Sequence, residues 1–248
     1  MSIINIGLHG ASGRMGAAVT EAIARQSDKF DLVTKFSKHR NNYTLLDFCL
    51  ASDIIIDFSS ADALENLLKV STETDKKLVI GTTGLSSTHL KEIEKASKSI
   101  AILYSPNMSI GANLVIEMAG KISRILEDYD VEIIDIHHRH KKDSPSGTAI
   151  AIGQNIAKHR EQKFGEVAVF DRVNKGMRKD GDIGFSALRS GGIWGEHEVM
   201  FAGSTEVVTI GSRALSREVF ANGALFAARW LSSITEPGLY LMQDIFKI

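Results

Sequence analysis

The chain has 248 residues, 44% of them hydrophobic and 24% charged, with a formal net charge of -1. That is enough chain to bury a large core and to build two domains. A charge near zero argues against nucleic-acid or membrane-surface partners, which usually need a strong basic excess. No apolar run is long enough to span a bilayer. The single cysteine, Cys49, excludes an internal disulfide and fits a reducing compartment, hence a cytoplasmic protein. It sits in the mixed apolar stretch LLDFCLAS and reads as a small buried side chain rather than a nucleophile. The opening MSIINIGLHG lacks the basic region and long apolar stretch of a secretion signal. There is no internal repeat, and with 3 prolines no proline-rich linker marks a boundary.

In chain order, Ser2 to Leu8 predicts a short buried strand ended by a glycine turn. Arg14 to Gln26 predicts a helix, with Met15, Ala18, Val19, Ala22 and Ile23 at helical spacing. Phe30 to Phe36 is a second strand. Asp53 to Phe58 is a third, apolar enough to be buried on both faces. A helix over Ala61 to Val70, a strand over Lys77 to Ile80, a turn at GTTG, a serine-capped helix over Ser87 to Lys98 and a strand over Ile100 to Tyr104 follow. Strands alternating with helices imply parallel βαβ units and, with right-handed crossovers, a doubly wound sheet.

The character changes after Pro106. A long helix, Ile110 to Glu127, leads into the strand VEIIDIHH, and another helix opens near Ser146. VAVFD, IGFSALRSG, HEVMFAG and EVVTIGSRA then read as strands of an antiparallel or mixed sheet. Arg217 to Leu231 returns to helix. The expected organisation is a dinucleotide-binding domain from 1–107 plus 217–248 and a second, substrate-binding α+β domain on a mixed sheet at 108–216. The segments near Pro106 and Arg217 are candidate hinges.

The turn GLHGASGRMG follows a strand and opens a helix. Gly10, Gly13 and Gly16 permit a tight turn and a close approach to a pyrophosphate. The helix N-terminus offers N–H groups and a partial positive charge, with Arg14 at its start. Its form is GxxGxxG, and the competing reading is a ligand-free tight turn. Placed at the first strand of an alternating pattern, it points to a Rossmann-type domain holding a pyridine dinucleotide. An Asp or Glu after the second strand usually binds the ribose 2′-OH. Here that region, KFSKHRNN, has no acid but carries Lys38 and Arg40 beside Ser37 and His39, which favours NADPH, with NADH possible. A solvated basic loop is the alternative. DFSS and GTTG also lie at strand carboxyl ends, where Phe58 could pack on the cofactor and the GTT backbone could reach the nicotinamide carboxamide.

The segment HHRHKKDSPSGTA is the most informative. It puts His137, His138, Arg139, His140, Lys141 and Lys142 at a strand end, directly before a helix opening at Ser146, Gly147 and Thr148. Cations beside a helix N-terminus suit an anionic, dicarboxylate substrate. N–H groups and the Thr148 hydroxyl would bind a carboxylate, histidine would exchange protons, and a lysine would donate one, helped by its like-charged neighbours. A metal site is not expected, because three histidines in four residues of a strand end do not all point one way.

At these residues the chain resembles dihydrodipicolinate reductases over essentially its whole length. GASGRMG, IIDFSS, GTTG, SPNMSIGAN, EIIDIHHRHKKDSPSGTA, RSGGIWGEH and FANGA occur in the family's order. The resemblance implies hydride transfer from NAD(P)H to a cyclic unsaturated dicarboxylate, giving tetrahydrodipicolinate on the diaminopimelate route to lysine. It places the proton-transfer histidine at His137, the proton-donating lysine at Lys141, and substrate contacts at His138, Gly147 and Thr148. It places cofactor contacts at Gly10, Ala11, Ser12, Gly13, Arg14 and Met15, at Gly81, Thr82 and Thr83, and at Ser105, Pro106, Asn107 and Met108. It implies a homotetramer built through the second domain's sheet. Many relatives carry an acid where this chain has Ser37, which agrees with the NADPH reading. A different two-domain reductase, or a nucleotide-sensing regulator, would share the first domain but would not need His137 and Lys141.

Overall fold

The structure is a computed structural model that describes residues 3–37, 42–173 and 176–246. The chain forms two compact units, Met1–Met108 with Arg217–Ile248, and Ser109–Ser216.

The first unit opens with β1 (Ile4–His9), α1 (Arg14–Ala24), β2 (Phe30–Phe36), α2 (Leu45–Leu50), β3 (Ile54–Asp57), α3 (Ala61–Glu73), β4 (Lys77–Ile80), α4 (Ser87–Ala96) and β5 (Ala101–Tyr104). The chain then forms the second unit. That unit contains α5 (Ile110–Ile125), β6 (Asp130–His137), α6 (Gly147–His159), α7 (Phe164–Val167), β7 (Ala168–Val169), β8 (Ile183–Arg189), β9 (Glu196–Ala202) and β10 (Val207–Arg213). It returns to the first unit with α8 (Glu218–Ser232), β11 (Gly238–Tyr240) and a 3-10 turn at Met242–Ile245.

Six parallel strands run in the order β11-β5-β4-β3-β1-β2. Ile55, Leu78, Ile80 and Ile102 face one core with residues of α2, α3 and α4. The alternate residues Ile54, Ile56, Val79 and Leu103 are also buried, and α1 and α8 pack together against the strands. Covering on both faces explains why these strands read as unbroken apolar runs. Cys49 lies in the first of these cores, buried as its apolar surroundings suggested.

Two elements of this unit were not legible beforehand. α2 is short but closed by a capping box: Thr44 accepts from the Asp47 N–H, and the Asp47 carboxylate accepts from the Thr44 N–H. β11 has three residues and adds a sixth strand beside β5.

The second unit has one five-stranded mixed sheet, β10-β9-β6-β8-β7. β6, β8 and β7 are mutually parallel, while β9 and β10 run antiparallel to their neighbours. Val131, Ile133, Ile183, Phe185, Val199 and Phe201 pack one face of the sheet against residues of α5 and α6. The alternate residues on β6 and β9, Glu132, Ile134 and Ile136 with Glu198 and Met200, lie on the opposite, partly exposed face, which mixes polar and apolar side chains. The loop between β7 and β8 carries Arg178. Arg178 pairs with Asp130 and Glu132 and donates to the Val131 carbonyl.

Ile152 lies at the centre of this core, fully buried. Trimming one methylene there by Ile152→Val is expected to cost about 0.5–1.5 kcal/mol. Thermal melting should register a fall of a few degrees with turnover unchanged.

Candidate active site

In the first unit β1 ends at His9, and Gly10 turns the chain with φ 81°. A Cβ on Gly10 would lie 2.4 Å from the Phe58 carbonyl oxygen, and one on Gly16 would lie 2.5 Å from the Gly10 and Ala11 carbonyls. The turn therefore closes on backbone with no room for a side chain. Gly13 is the N-cap of α1 and supplies no side-chain cap, so the first-turn N–H groups keep their capacity to bind an anion. The Ser12 N–H donates to Ser37 Oγ at 3.2 Å, tying the turn to the end of β2.

A cavity of about 420 Å³ opens beside this turn. It collects Gly13, Arg14, Met15, Phe58, Gly81, Thr82, Thr83, Pro106, Asn107 and Met108, all expected cofactor contacts. Ser59, Arg217 and Phe220 line it as well, without having been expected. Phe220 lies in FANGA, which carried a resemblance but no mechanism. Gly10, Ala11 and Ser12 form the turn itself, and Ser105 is buried with its hydroxyl donating to the Asn107 carbonyl at 2.7 Å. Lys38 and Arg40 lie outside the described residues. A closed glycine turn, an uncapped helix start and an adjoining cavity fit a dinucleotide.

Beneath the cavity, Asp57 at the end of β3 is fully buried. Its Oδ1 lies 2.8 Å from His9 Nδ1 and 3.1 Å from the Ser59 N–H, and its Oδ2 accepts from the Thr82 hydroxyl at 2.7 Å. The ends of β1, β3 and β4 are thereby joined. The Thr82 hydroxyl points into this network, so Thr82 has its backbone to offer a ligand.

In the second unit His137 ends β6 and is buried. Its Nδ1 lies 2.9 Å from Asp135 Oδ1, a close ion contact whose angle falls short of a linear hydrogen bond. Asp135 is buried two residues earlier on the same strand face. Its Oδ2 accepts from the Ser146 N–H at 2.7 Å and from Arg189 Nη2 at 2.9 Å, and His197 Nε2 lies 3.3 Å from Oδ1. Burial alone would raise the Asp135 carboxyl, but the close His137 and His197 imidazoles and the Ser146 N–H outweigh it and hold it well below the usual carboxylate range. Ser146 also caps α6 by accepting from the Ala149 N–H at 3.2 Å. Gly147 and Thr148 are the first two residues of that helix, so their N–H groups lie at its positive end. His138 and His140 face each other with ring centroids 6.2 Å apart.

Lys141 Nζ lies 2.9 Å from an Asp143 carboxylate oxygen. An opposite charge thus stands beside Lys141, in addition to the like-charged neighbours of the segment. Burial would raise the Asp143 carboxyl, yet the Lys141 hydrogen bond and the Lys141 and Arg189 charges hold it down.

Asp135, His137 and His197 bring ligand-type atoms within 4.8 Å of one another. The Arg189 guanidinium already neutralises Asp135, so a cation there would face a like charge at close range. Asp135, Arg189 and His197 were all missed in the sequence, where IDIH and GEH gave only a resemblance.

A Rossmann-type unit with a glycine turn and an adjoining cavity, in one chain with an α+β unit that gathers histidines and a lysine beside a helix start, fits the class of pyridine-nucleotide oxidoreductases. Family models described as dihydrodipicolinate reductase N-terminus and C-terminus match residues 4–108 and 111–246. The 4-hydroxy-tetrahydrodipicolinate reductase of Rickettsia canadensis is 47% identical over 249 residues, covering 99% of this chain and 100% of that protein. That of Caldanaerobacter subterraneus is 41% identical over 258 residues and 99% of each chain. The dipicolinate-bound dihydrodipicolinate reductase of Paenisporosarcina sp. TG-14 shares the fold, with a TM-score of 0.80 at 22% identity, covering 99% of this chain and 100% of that one. The chain belongs to the dihydrodipicolinate reductase family. No helix among the described residues is long and apolar enough to cross a membrane.

Proposed function

We propose that this chain reduces 4-hydroxy-tetrahydrodipicolinate to tetrahydrodipicolinate on the diaminopimelate route to lysine, and that it prefers NADPH. One observation carries the reading: the histidine–lysine segment ends β6 with His137 buried on Asp135, and the same loop holds Lys141 and the open start of α6. The first unit is the cofactor unit and the second the substrate unit.

A bound nicotinamide nucleotide supplies hydride. The protein's own part is position and charge. The N–H groups of Gly147 and Thr148, with the Thr148 hydroxyl, hold a substrate carboxylate at the positive end of α6. His138 contacts the same substrate. Lys141 and His137 keep the nitrogen of the imine-type C=N bond protonated, which makes the adjacent carbon a better hydride acceptor. In the first unit, the α1 N-terminus and Arg14 bind the pyrophosphate, and the GTT backbone orients the nicotinamide. The NADPH preference rests on Ser37 standing where an acid would bind a ribose 2′-OH, with Lys38 beside it.

The protein works as a homotetramer in the cytoplasm. Ile134, Ile136, Leu188, Met200 and Val207 share the sheet face opposite the α5–α6 core, with Leu188 and Val207 more than half exposed. An apolar sheet face of that kind suits a second sheet.

Because the substrate is unstable, it should be generated in place while cofactor absorbance is followed. Loss only when substrate is made, and faster with NADPH than with NADH at equal concentration, is the expected result. No loss with either cofactor, from folded protein that still binds NADPH, would overturn the reading in favour of a nucleotide sensor.

A further inference from the structure

We infer that Asp135 is the positioning residue of His137, and that Arg189 sets how firmly the pair holds a proton. The inference rests on the reading of His137 as a proton-transfer group.

Asp135 is 1% exposed, and its two oxygens divide their partners. Oδ2 takes the Ser146 N–H and the Arg189 guanidinium, which fixes the carboxylate against the start of α6 and the end of β8. Oδ1 is left for the imidazoles. A bare Nδ1 lone pair held 2.9 Å from a carboxylate oxygen would be repelled, so the His137 proton belongs on Nδ1 and Nε2 is the working nitrogen. The surroundings of Nε2 agree. Gly195 approaches it with φ 155°, and a Cβ there would lie 3.0 Å from Nε2. A missing side chain keeps that nitrogen clear.

Charge decides the rest. Asp135 with Arg189 is neutral overall. Without Arg189, a protonated His137 and Asp135 would form a closed ion pair that retains its proton. Without the Asp135 charge, the guanidinium would face His137 uncompensated and repel the proton. Other titratable groups around His137 are His197 from β9, edge-on at 5.1 Å between ring centroids, and His138, Arg139, His140, Lys141, Lys142 and Asp143 from the following loop. Neither substitution replaces any of these groups, although Arg189→Gln also removes the Arg189 bond to the Asp143 carbonyl and its charge from beside Asp143.

The test compares Asp135→Asn and Arg189→Gln with the parent across the pH–rate profile for kcat, with NADPH affinity read by fluorescence. Asp135→Asn should lower kcat about 100-fold, leave NADPH affinity unchanged, and move the alkaline limb to lower pH. Arg189→Gln should move that limb to higher pH. A purely structural role would not move the limb in opposite directions. An unmoved limb, or movement in one direction in both variants, overturns the inference. His137→Ala separates the two ideas. If it keeps turnover, the proton-transfer reading fails and takes the inference with it. If it loses turnover while Asp135→Asn keeps both rate and limb, only the inference fails. Should Asp135→Asn not fold, nitrogen-15 NMR of the parent decides. A low-field proton on His137 Nδ1 supports the inference, and the Nε2–H tautomer overturns it.

Discussion

Lys141→Ala is expected to lower kcat by about 10²–10⁴-fold, the usual worth of one well-placed acid or base, while NADPH affinity stays at the parent level. Lys141 sits in the loop after β6, and its ammonium pairs with Asp143 at 2.9 Å. Under the proposed mechanism, removing it deletes both a cation beside the substrate nitrogen and a proton donor. The residues that line the proposed cofactor cavity belong to the first unit and Lys141 to the second, so the substitution changes none of them. The ion pair is partly exposed, so the stability change should stay within about 1 kcal/mol. Lys141→Arg keeps the charge but gives up the proton less readily. If charge alone mattered, Arg would restore turnover; if proton donation matters, it will not. Steady-state turnover within a few-fold of the parent for Lys141→Ala would remove Lys141 from the mechanism.

Gly10→Ala is expected to weaken NADPH binding at least 10-fold and to destabilise the first unit. Gly10 has φ 81°, a conformation costing a side-chain-bearing residue about 1–3 kcal/mol. The new Cβ would lie 2.4 Å from the Phe58 carbonyl oxygen and 2.7 Å from the Ser59 nitrogen. Those are backbone atoms and cannot rotate away. The turn must open, although Gly10 donates to the Phe36 carbonyl at 2.9 Å and accepts from the Gly13 N–H at 3.0 Å. Gly84→Ala is the matched control: φ is 76°, but a Cβ there meets nothing within 4 Å. It should show the backbone cost alone, so the difference in melting temperature and NADPH affinity isolates the clash. Equal effects from the two variants would mean that the approach of Gly10 to Phe58 is not what the turn requires.

Local pattern was enough for much of this molecule. The alternation of strands and helices through β5, the mixed-sheet strands and the helices α5, α6 and α8 are written in apolar periodicity, and their ends shift by only a few residues in the structure. Periodicity reports which face of an element is buried, and that is a property of neighbouring residues. The same holds for the glycine turn and for the histidine–lysine segment, whose composition announces chemistry before any fold is known. α2 and β11 escaped because six and three residues are too few to display a period. The Thr44–Asp47 capping box was the one local sign of α2.

What the tertiary structure alone decided is who meets whom. Nothing in the C-terminal sequence says that Gly238–Tyr240 pairs beside Ala101–Leu103, because strand pairing depends on register across the whole sheet. Nothing near His137 announces that Arg189 and His197 converge with Asp135 behind it. They arrive from β8 and β9, 52 and 60 positions later in the chain. Asp57 likewise meets His9 and Thr82 only because β1, β3 and β4 are adjacent. Local pattern carried most of the secondary structure and the family resemblance, and it singled out the histidine–lysine segment on which the proposed chemistry rests. The fold decided that segment's partners, because a buried carboxylate must find its donors in three dimensions, wherever they lie along the chain.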